Sequence, residues 1–338
     1  MADFDPDGAA PPDSSIFGLP PNPDRVGVAL IPVPFAATAS YGGGAEKGPA
    51  AVLAASRQVD LHDFHFGRIH TKGIILEPAD PRIEQAHAAA RALALPILAR
   101  GGAGPGDGDA VRAIDEAGAL VERITHERTA RRLDAGITPG ILGGDHSVPL
   151  GAIRAAVERH EGLGILHVDA HADLRPGFEG FRQSHASIMH HVAALEGVGR
   201  IVQVGVRDFC EQELRAIARS DGRIVTHFDQ EWFRRRASGE PFDSLCREAI
   251  SALPPEVWVS FDIDGLDPSL CPHTGTPVPG GLMFPEAAHL LGALADNGRR
   301  VVGFDLCEVS PGEGTPGRDS WDANVGARVL YKLCGLAG

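Results

Sequence analysis

The chain has 338 residues, 43% of them hydrophobic, and a formal net charge of −14 at pH 7. That length can bury one large core, while the charge excludes nucleic acid and an anionic membrane surface as partners, since both are held by a basic footprint. No apolar stretch approaches the ~18–20 residues that cross a bilayer, and five scattered cysteines with no C-x-x-C pair predict reduced thiols in a cytoplasmic protein.

In chain order, residues 1–25 are acidic and Pro-rich, without the basic and apolar regions of a secretory signal, and read as a flexible arm. Residues 26–338 read as a single domain. "VGVALIPVP" (27–35) is the first predicted strand, followed by the Gly-rich turn "SYGGGAEKGP" and a helix near 49–57. "TKGIILEP" (71–78) is a second strand. A helix follows that Pro96 ends or kinks, then a loop over 101–109 and a long helix over 109–135. The remaining apolar runs are "TPGILGG" (138–144), "GLGILHVDA" (162–170), "RIVQVGV" (200–206), "GRIVTHF" (222–228), "EVWVSFDID" (256–264) and "RVVGFDL" (300–306). Continuous apolar runs separated by helices indicate parallel strands buried on both faces. About eight strands in one open α/β sheet fit best, with a closed (β/α)₈ barrel as the competing architecture.

The polar residues collect at the carboxyl ends of these strands, the side on which open α/β sheets bind ligands. "GGDHS" ends one strand, "DAHAD" the next, "SFDIDGLDP" another and "CEVSP" the last. His146, Asp169, His171, Asp173, Asp262 and Asp264 thus supply two imidazoles and four carboxylates. If the strands continue, side chains two residues apart point the same way, which would aim Asp169, His171 and Asp173, and likewise Asp262 and Asp264, into one place. A lone Asp-x-Asp is more often a turn or a cap than a metal site, and "GGDHS" by itself fits a strand-to-helix turn equally well. All three motifs at strand ends are another matter. Four carboxylates massed without cations would repel one another, and two divalent ions relieve that. Hard oxygens mixed with imidazole favour Mn²⁺, with Fe, Co or Ni²⁺ as alternatives, whereas zinc more often recruits thiolates or stays four-coordinate. Such a pair can hold a hydroxide at neutral pH and aim it at an electrophilic carbon or phosphorus, so the pattern reads as a hydrolase.

"GGDHS", "HVDAHAD" and "SFDIDGLDP" resemble the three metal motifs of the ureohydrolase family of arginases, agmatinases, formiminoglutamases and guanidino-acid hydrolases. "GTPVPGG" (275–281), "GFDLCEVSP" (303–311) and the early "YGGGAEKGPAAVLAAS" match further family segments. The resemblance implies a three-layer α/β/α sandwich on an eight-stranded parallel sheet, two Mn²⁺ (nickel in some relatives), and a trimer or hexamer of identical chains. It assigns His146, Asp169, Asp173 and one carboxylate of the Asp262–Asp264 pair to one ion. His171, Asp169 and both of that pair go to the other. Glu308 matches the acidic residue that pairs with the substrate guanidinium, Thr276 a threonine beside it, and His185 in "QSHAS" a histidine proposed to shuttle protons, with Asp264 assisting. The implied reaction is attack of a metal-bridging hydroxide on a guanidino carbon, giving urea and an amine.

Two departures point away from arginase itself. The loop after "DAHAD" is "LRPGFEGFRQS", where arginases carry an Asn that reads the α-carboxylate, and Cys210 stands where arginases have an Asp for the α-amino group. An agmatinase-like activity is therefore expected first, with hydrolysis of a guanidino acid or of guanidine as alternatives. Arg175, two residues past Asp173, would lean into the same cleft and attract a substrate carboxylate, unless Glu179 or Asp208 neutralises it. A metal-stabilised scaffold without catalysis is the alternative of another class. Retention of His185 and Glu308 counts against it.

Overall fold

The computed structural model describes residues 4–11, 13–21, 23–312 and 320–338. All eight apolar runs are strands: β1 (Val28–Val33), β2 (Ile74–Leu76), β3 (Thr138–Gly143), β4 (Leu163–Val168), β5 (Val198–Val206), β6 (Ile224–Phe228), β7 (Glu256–Asp262) and β8 (Arg300–Cys307). They form one sheet in the order β2-β1-β3-β8-β7-β4-β5-β6, and every pairing is parallel. Because β2 and β6 are edges that do not meet, the sheet is open and the barrel alternative is excluded.

The helices are α1 (Gly48–Ser56), α2 (Pro81–Leu98), α3 (Gly108–Asp134), α4 (Leu150–Val157), α5 (Ile188–Ala193), α6 (Glu211–Arg219), α7 (Asp229–Ala237), α8 (Phe242–Ser251), α9 (Phe284–Asp296) and α10 (Trp321–Leu336). Strand pleating sends alternate residues to opposite faces. Val257, Val259 and Phe261 of β7 pack with α1 and α7 to α10 on one side, while Trp258 packs with α2 to α6 on the other. This is the three-layer α/β/α sandwich expected. Helix α2 runs only two residues past Pro96 before it stops at Leu98, where a missing N–H and a ring clash disfavour continuation.

Part of the stretch expected as a flexible arm is held. Ile16 and Phe17 are buried, the Phe17 ring lies 4.8 Å from that of Tyr331 in α10, and its N–H donates to Ser56 Oγ at 2.9 Å. Arg57 donates to the Ser14 carbonyl from the same side. The apolar Ile16-Phe17 pair and Leu19 close the crevice between α1 and α10, and that burial outweighs the Pro-rich composition around it.

The topology matters for function in one respect. β3, β8, β7 and β4 are consecutive in the sheet, so the four polar turns lie side by side at one edge of the sandwich, spaced by about 4.8 Å per strand.

Candidate metal centre and substrate cleft

Apart from Asp262, the last residue of β7, the candidate metal-ligating residues of these turns do not continue the strands. β4 stops at Val168, and β7 stops at Asp262 before a 3₁₀ turn over Ile263–Gly265. Turn geometry rather than pleating brings the carboxylates together. Asp262 accepts from the Asp264 N–H at 2.8 Å, and Asp264 accepts from Ala170 N at 3.0 Å, which ties the two turns to each other. Asp173 sits in the left-handed region at φ 54°, folding its carboxylate back over the cluster. Two glycines permit the close approach. A Cβ on Gly144 would lie 1.8 Å from the Phe35 carbonyl oxygen, and one on Gly265 would lie 2.8 Å from Asp169 N.

Two groups result, and they share Asp169. His146 Nδ1 lies 2.9 Å from Asp169 Oδ2, 3.2 Å from Asp262 Oδ2 and 3.4 Å from Asp173 Oδ2. His171 Nδ1 lies 3.0 Å from Asp264 Oδ2 and 3.4 Å from Asp169 Oδ1. The Asp pair is thus divided: Asp262 faces the first histidine and Asp264 the second.

Beneath these groups lie partners that sequence reasoning did not single out. His146 Nε2 is 2.9 Å from Ser260 Oγ, whose hydroxyl donates to Asp305 at 2.9 Å, and Trp258 Nε1–H donates to the other Asp305 oxygen at 2.6 Å. This relay holds the hydrogen of His146 on Nε2 and leaves the Nδ1 lone pair toward the carboxylates. His167 is fixed the opposite way. Gln203 donates to His167 Nδ1 at 3.0 Å and to the Ala172 carbonyl at 2.7 Å, while Thr226 donates to Gln203 Oε1 at 2.8 Å. The hydrogen of His167 is therefore on Nε2, donated to Asp169 Oδ2 at 2.9 Å. Although close enough to join a ligand set, His167 acts as a donor that orients Asp169. The signal in the sequence was spacing: His167 and Ser260 each lie on a buried strand two residues before a candidate ligand, Asp169 and Asp262.

These residues fit divalent cations. An imidazole lone pair aimed at three carboxylates is repulsive unless a proton or a cation lies between them. Burial and the charges of Asp264 and Asp169 push the Asp262 carboxyl well above the usual range, and burial with the Asp169 charge takes Asp173 up to about 6. Burial opposes protonation of His146 and His171, yet the carboxylates around them hold both well above the ordinary histidine value. Protons on the histidines thus balance the charge that cations would balance. The mixed oxygen and imidazole donors suit Mn²⁺ or a neighbouring transition metal.

The cleft above the cluster is lined by Ser40, Tyr41, Phe178, His185, Thr276 and Asp208, among others. His185 reaches it from the loop after β4, with Nε2 3.4 Å from Ser40 Oγ. Burial, followed by the neighbouring charge of His171, lowers its imidazole to about 4. Thr276 Oγ1 lies 3.4 Å from Asp264 Oδ2. Glu308 leaves β8 at φ 61°, and one of its oxygens accepts from His146 N at 3.0 Å. The other has no hydrogen bond among the described residues. Burial, then the adjacent Asp145 charge, raises the Glu308 carboxyl well above the usual range, which is the environment of an acid awaiting a cation.

Arg175 also lines the cleft, but neither Glu179 nor Asp208 is the residue that meets it. Its Nε lies 3.8 Å from Glu213, and its guanidinium lies 5.0 Å from the centre of the Phe178 ring. Glu213 is buried at the start of α6, where it accepts from Leu174 N at 3.0 Å and Cys210 N at 2.9 Å. A long-range contact from a helix not yet placed could not be read from the sequence.

The open parallel sheet with paired His/Asp groups at its centre belongs to a known class. A sequence model of the Arginase family matches residues 26–335, and the chain belongs to that family. Among its relatives, it is 33% identical over 325 residues to the N(1)-aminopropylagmatine ureohydrolase of Thermus thermophilus, covering 96% of this chain and 94% of that one. It is 36% identical over 221 residues to the guanidinobutyrase of Pseudomonas aeruginosa, covering 64% and 66% of the two chains. The solved structure of proclavaminate amidinohydrolase from Streptomyces clavuligerus superposes with a TM-score of 0.69 at 28% identity, covering 97% of this chain and 99% of the other.

Proposed function

We propose that this protein is an agmatinase-like amidinohydrolase that cleaves the guanidino group of a small amine-tailed substrate into urea and an amine, using two Mn²⁺ or Ni²⁺ ions. The observation that carries this reading is the pair of His/Asp groups sharing Asp169, set beside the half-satisfied carboxylate of Glu308. His146, Asp169, Asp173 and Asp262 would hold one ion; His171, Asp169 and Asp264 the other. Bound there, the two cations supply Lewis acidity and a nucleophilic oxygen from water at neutral pH.

The chain's own residues do the rest. Glu308 takes the guanidinium by a charge-assisted pair and fixes its carbon over the metal rim. Thr276 bounds the same face and steadies Asp264. A departing amine must be protonated as the C–N bond breaks. His185 on the cleft wall, whose imidazole burial lowers to about 4, would take up the proton given up by the attacking water and pass it to the amine, with Asp264 assisting. Cleavage in a reducing cytoplasm accords with five cysteines free of disulfides, and no helix among the described residues is long and apolar enough to cross a membrane. Assembly into a trimer or hexamer completes the proposal.

Substrate choice turns on the far end of the cleft. Arg175 in the lining favours a second reading, a guanidino acid whose carboxylate it would bind. Against that, Glu213 occupies one side of Arg175 and Phe178 its face. Asp208 lines the cleft with no side-chain partner among the described residues, so the mouth favours a cationic tail. Urea release should be measured from agmatine, N1-aminopropylagmatine, 4-guanidinobutyrate, 3-guanidinopropionate, guanidine and arginine, with Mn²⁺ and with Ni²⁺. The amine-tailed compounds should be turned over fastest, and Arg175→Ala should leave that ranking unchanged. Faster turnover of 4-guanidinobutyrate, reversed by Arg175→Ala, would establish the guanidino-acid reading, and no urea from any compound would leave a scaffold.

A further inference from the structure

The loop over residues 36–44, between β1 and α1, forms one wall of the cleft and carries Ser40 and Tyr41 into it. Its first four residues, Ala36, Ala37, Thr38 and Ala39, are buried, yet none pairs with a strand. Helix α2 supplies the missing backbone partners. His87 Nδ1 accepts from Ala36 N at 3.2 Å, while Arg91 Nη1 donates to the Ala37 carbonyl at 3.1 Å and the Ala39 carbonyl at 2.8 Å. His87 and Arg91 are one helical turn apart on the same face of α2, so a rigid helix grips three points within four residues of an irregular segment. At its other end the loop is fixed by Ser310, which donates to the Gly43 carbonyl at 2.8 Å. Between the two fixed ends stands Ser40, with its hydroxyl 3.4 Å from His185 Nε2. Neither His87 nor Arg91 lines the cleft, and neither is bonded to a metal-ligating side chain.

We propose that His87 and Arg91 are positioning residues for the proton-carrying step, gripping the 36–44 loop so that Ser40 holds the His185 ring in its working orientation. The inference rests on the reading of His185 as the proton donor to the departing amine. His185 is otherwise steadied by Ser184 at 3.4 Å and by an edge contact with Phe178 at 6.0 Å, both on its own loop. Ser40 is thus the hydrogen-bonding restraint that comes from a different element, and its placement is set from α2. A buried carbonyl that loses its donor must find another or move, so removing the Arg91 fork releases two carbonyls and the loop with them.

The test is a double-mutant cycle with amide hydrogen exchange on the metal-loaded protein. Arg91→Ala and Ser40→Ala should each lower kcat by about tenfold or more with KM within about twofold, the scale of a misplaced catalytic group. Metal content should stay at the wild-type level. The double variant should be no slower than Arg91→Ala alone, since both changes break one chain of contacts. Exchange across 36–44 should rise in Arg91→Ala and not in Ser40→Ala. Arg91→Lys, which keeps the charge and N–H donors on a shorter side chain, should recover part of the activity lost in Arg91→Ala and guards against a variant that simply fails to fold. Multiplicative losses in the double variant, unchanged exchange in 36–44 or loss of metal in Arg91→Ala would overturn the proposal. His185→Asn with undiminished kcat would overturn the proton-carrying reading itself, an outcome the cycle between Arg91 and Ser40 cannot imitate.

Discussion

Asp169 is the residue on which the site depends, because its two oxygens face different histidines, His146 at 2.9 Å and His171 at 3.4 Å. Burial alone would raise its carboxyl, but the hydrogen bond from His167 and the contacts of His146 and His171 hold it well below the usual range. It therefore stays ionised and can bridge. Glu308 is the contrasting acid, buried beside Asp145 and given one backbone donor. Glu308→Gln should keep the metal content and lose at least ~10²-fold in kcat/KM, the scale expected when a charged positioning group is removed. Loss of metal along with activity in that variant would reassign Glu308 as a ligand. At this scale the sequence was informative wherever chemistry is concentrated: "DAHAD" and "DID" are too acidic to bury without cations. It was uninformative where a residue acts through a neighbour from another element. Glu213 meets Arg175, and Asp305 meets Trp258 and Ser260, only after α6 and β8 have been placed.

Among the elements, the strands were legible because parallel strands buried on both faces leave continuous apolar runs. All eight are found within a few residues of their expected positions. Strand ends were not legible. Strand pleating was expected to converge Asp262 with Asp264, yet a 3₁₀ turn and the positive φ of Asp173 do the converging. Local composition also hid the docking of Ile16–Gly18, since Pro-rich and acidic neighbours outvote three apolar residues in any sequence window. Phe17 is 2% exposed and its ring packs at a tilt against that of Tyr331. Phe17→Ala should destabilise the fold by about 3 kcal/mol, the lower end for a buried Phe, measured as a lowered denaturation midpoint, with kcat for urea release intact. An unchanged midpoint would mean that this segment is not docked in solution.

For the whole molecule, the formal charge of −14 accords with a cationic guanidino substrate drawn toward an acidic cleft. At the centre of the sheet, four carboxylates are crowded into a volume that only cations or protons can neutralise, so metal binding and folding are coupled. A metal held well above its dissociation constant adds RT ln(1 + [L]/Kd) to stability, about 2.7 kcal/mol at a hundredfold excess. Chelation should therefore lower the melting temperature by several degrees, and added Mn²⁺ should restore both it and urea release. The central claim is that two ions share Asp169, and elemental analysis of metal per chain tests it most directly. The native protein should hold two divalent ions per chain, Asp264→Asn should lose one of them, and Asp169→Asn should weaken both, with urea release abolished in each variant. A single tightly held ion per chain, unchanged by either substitution, would contradict the account.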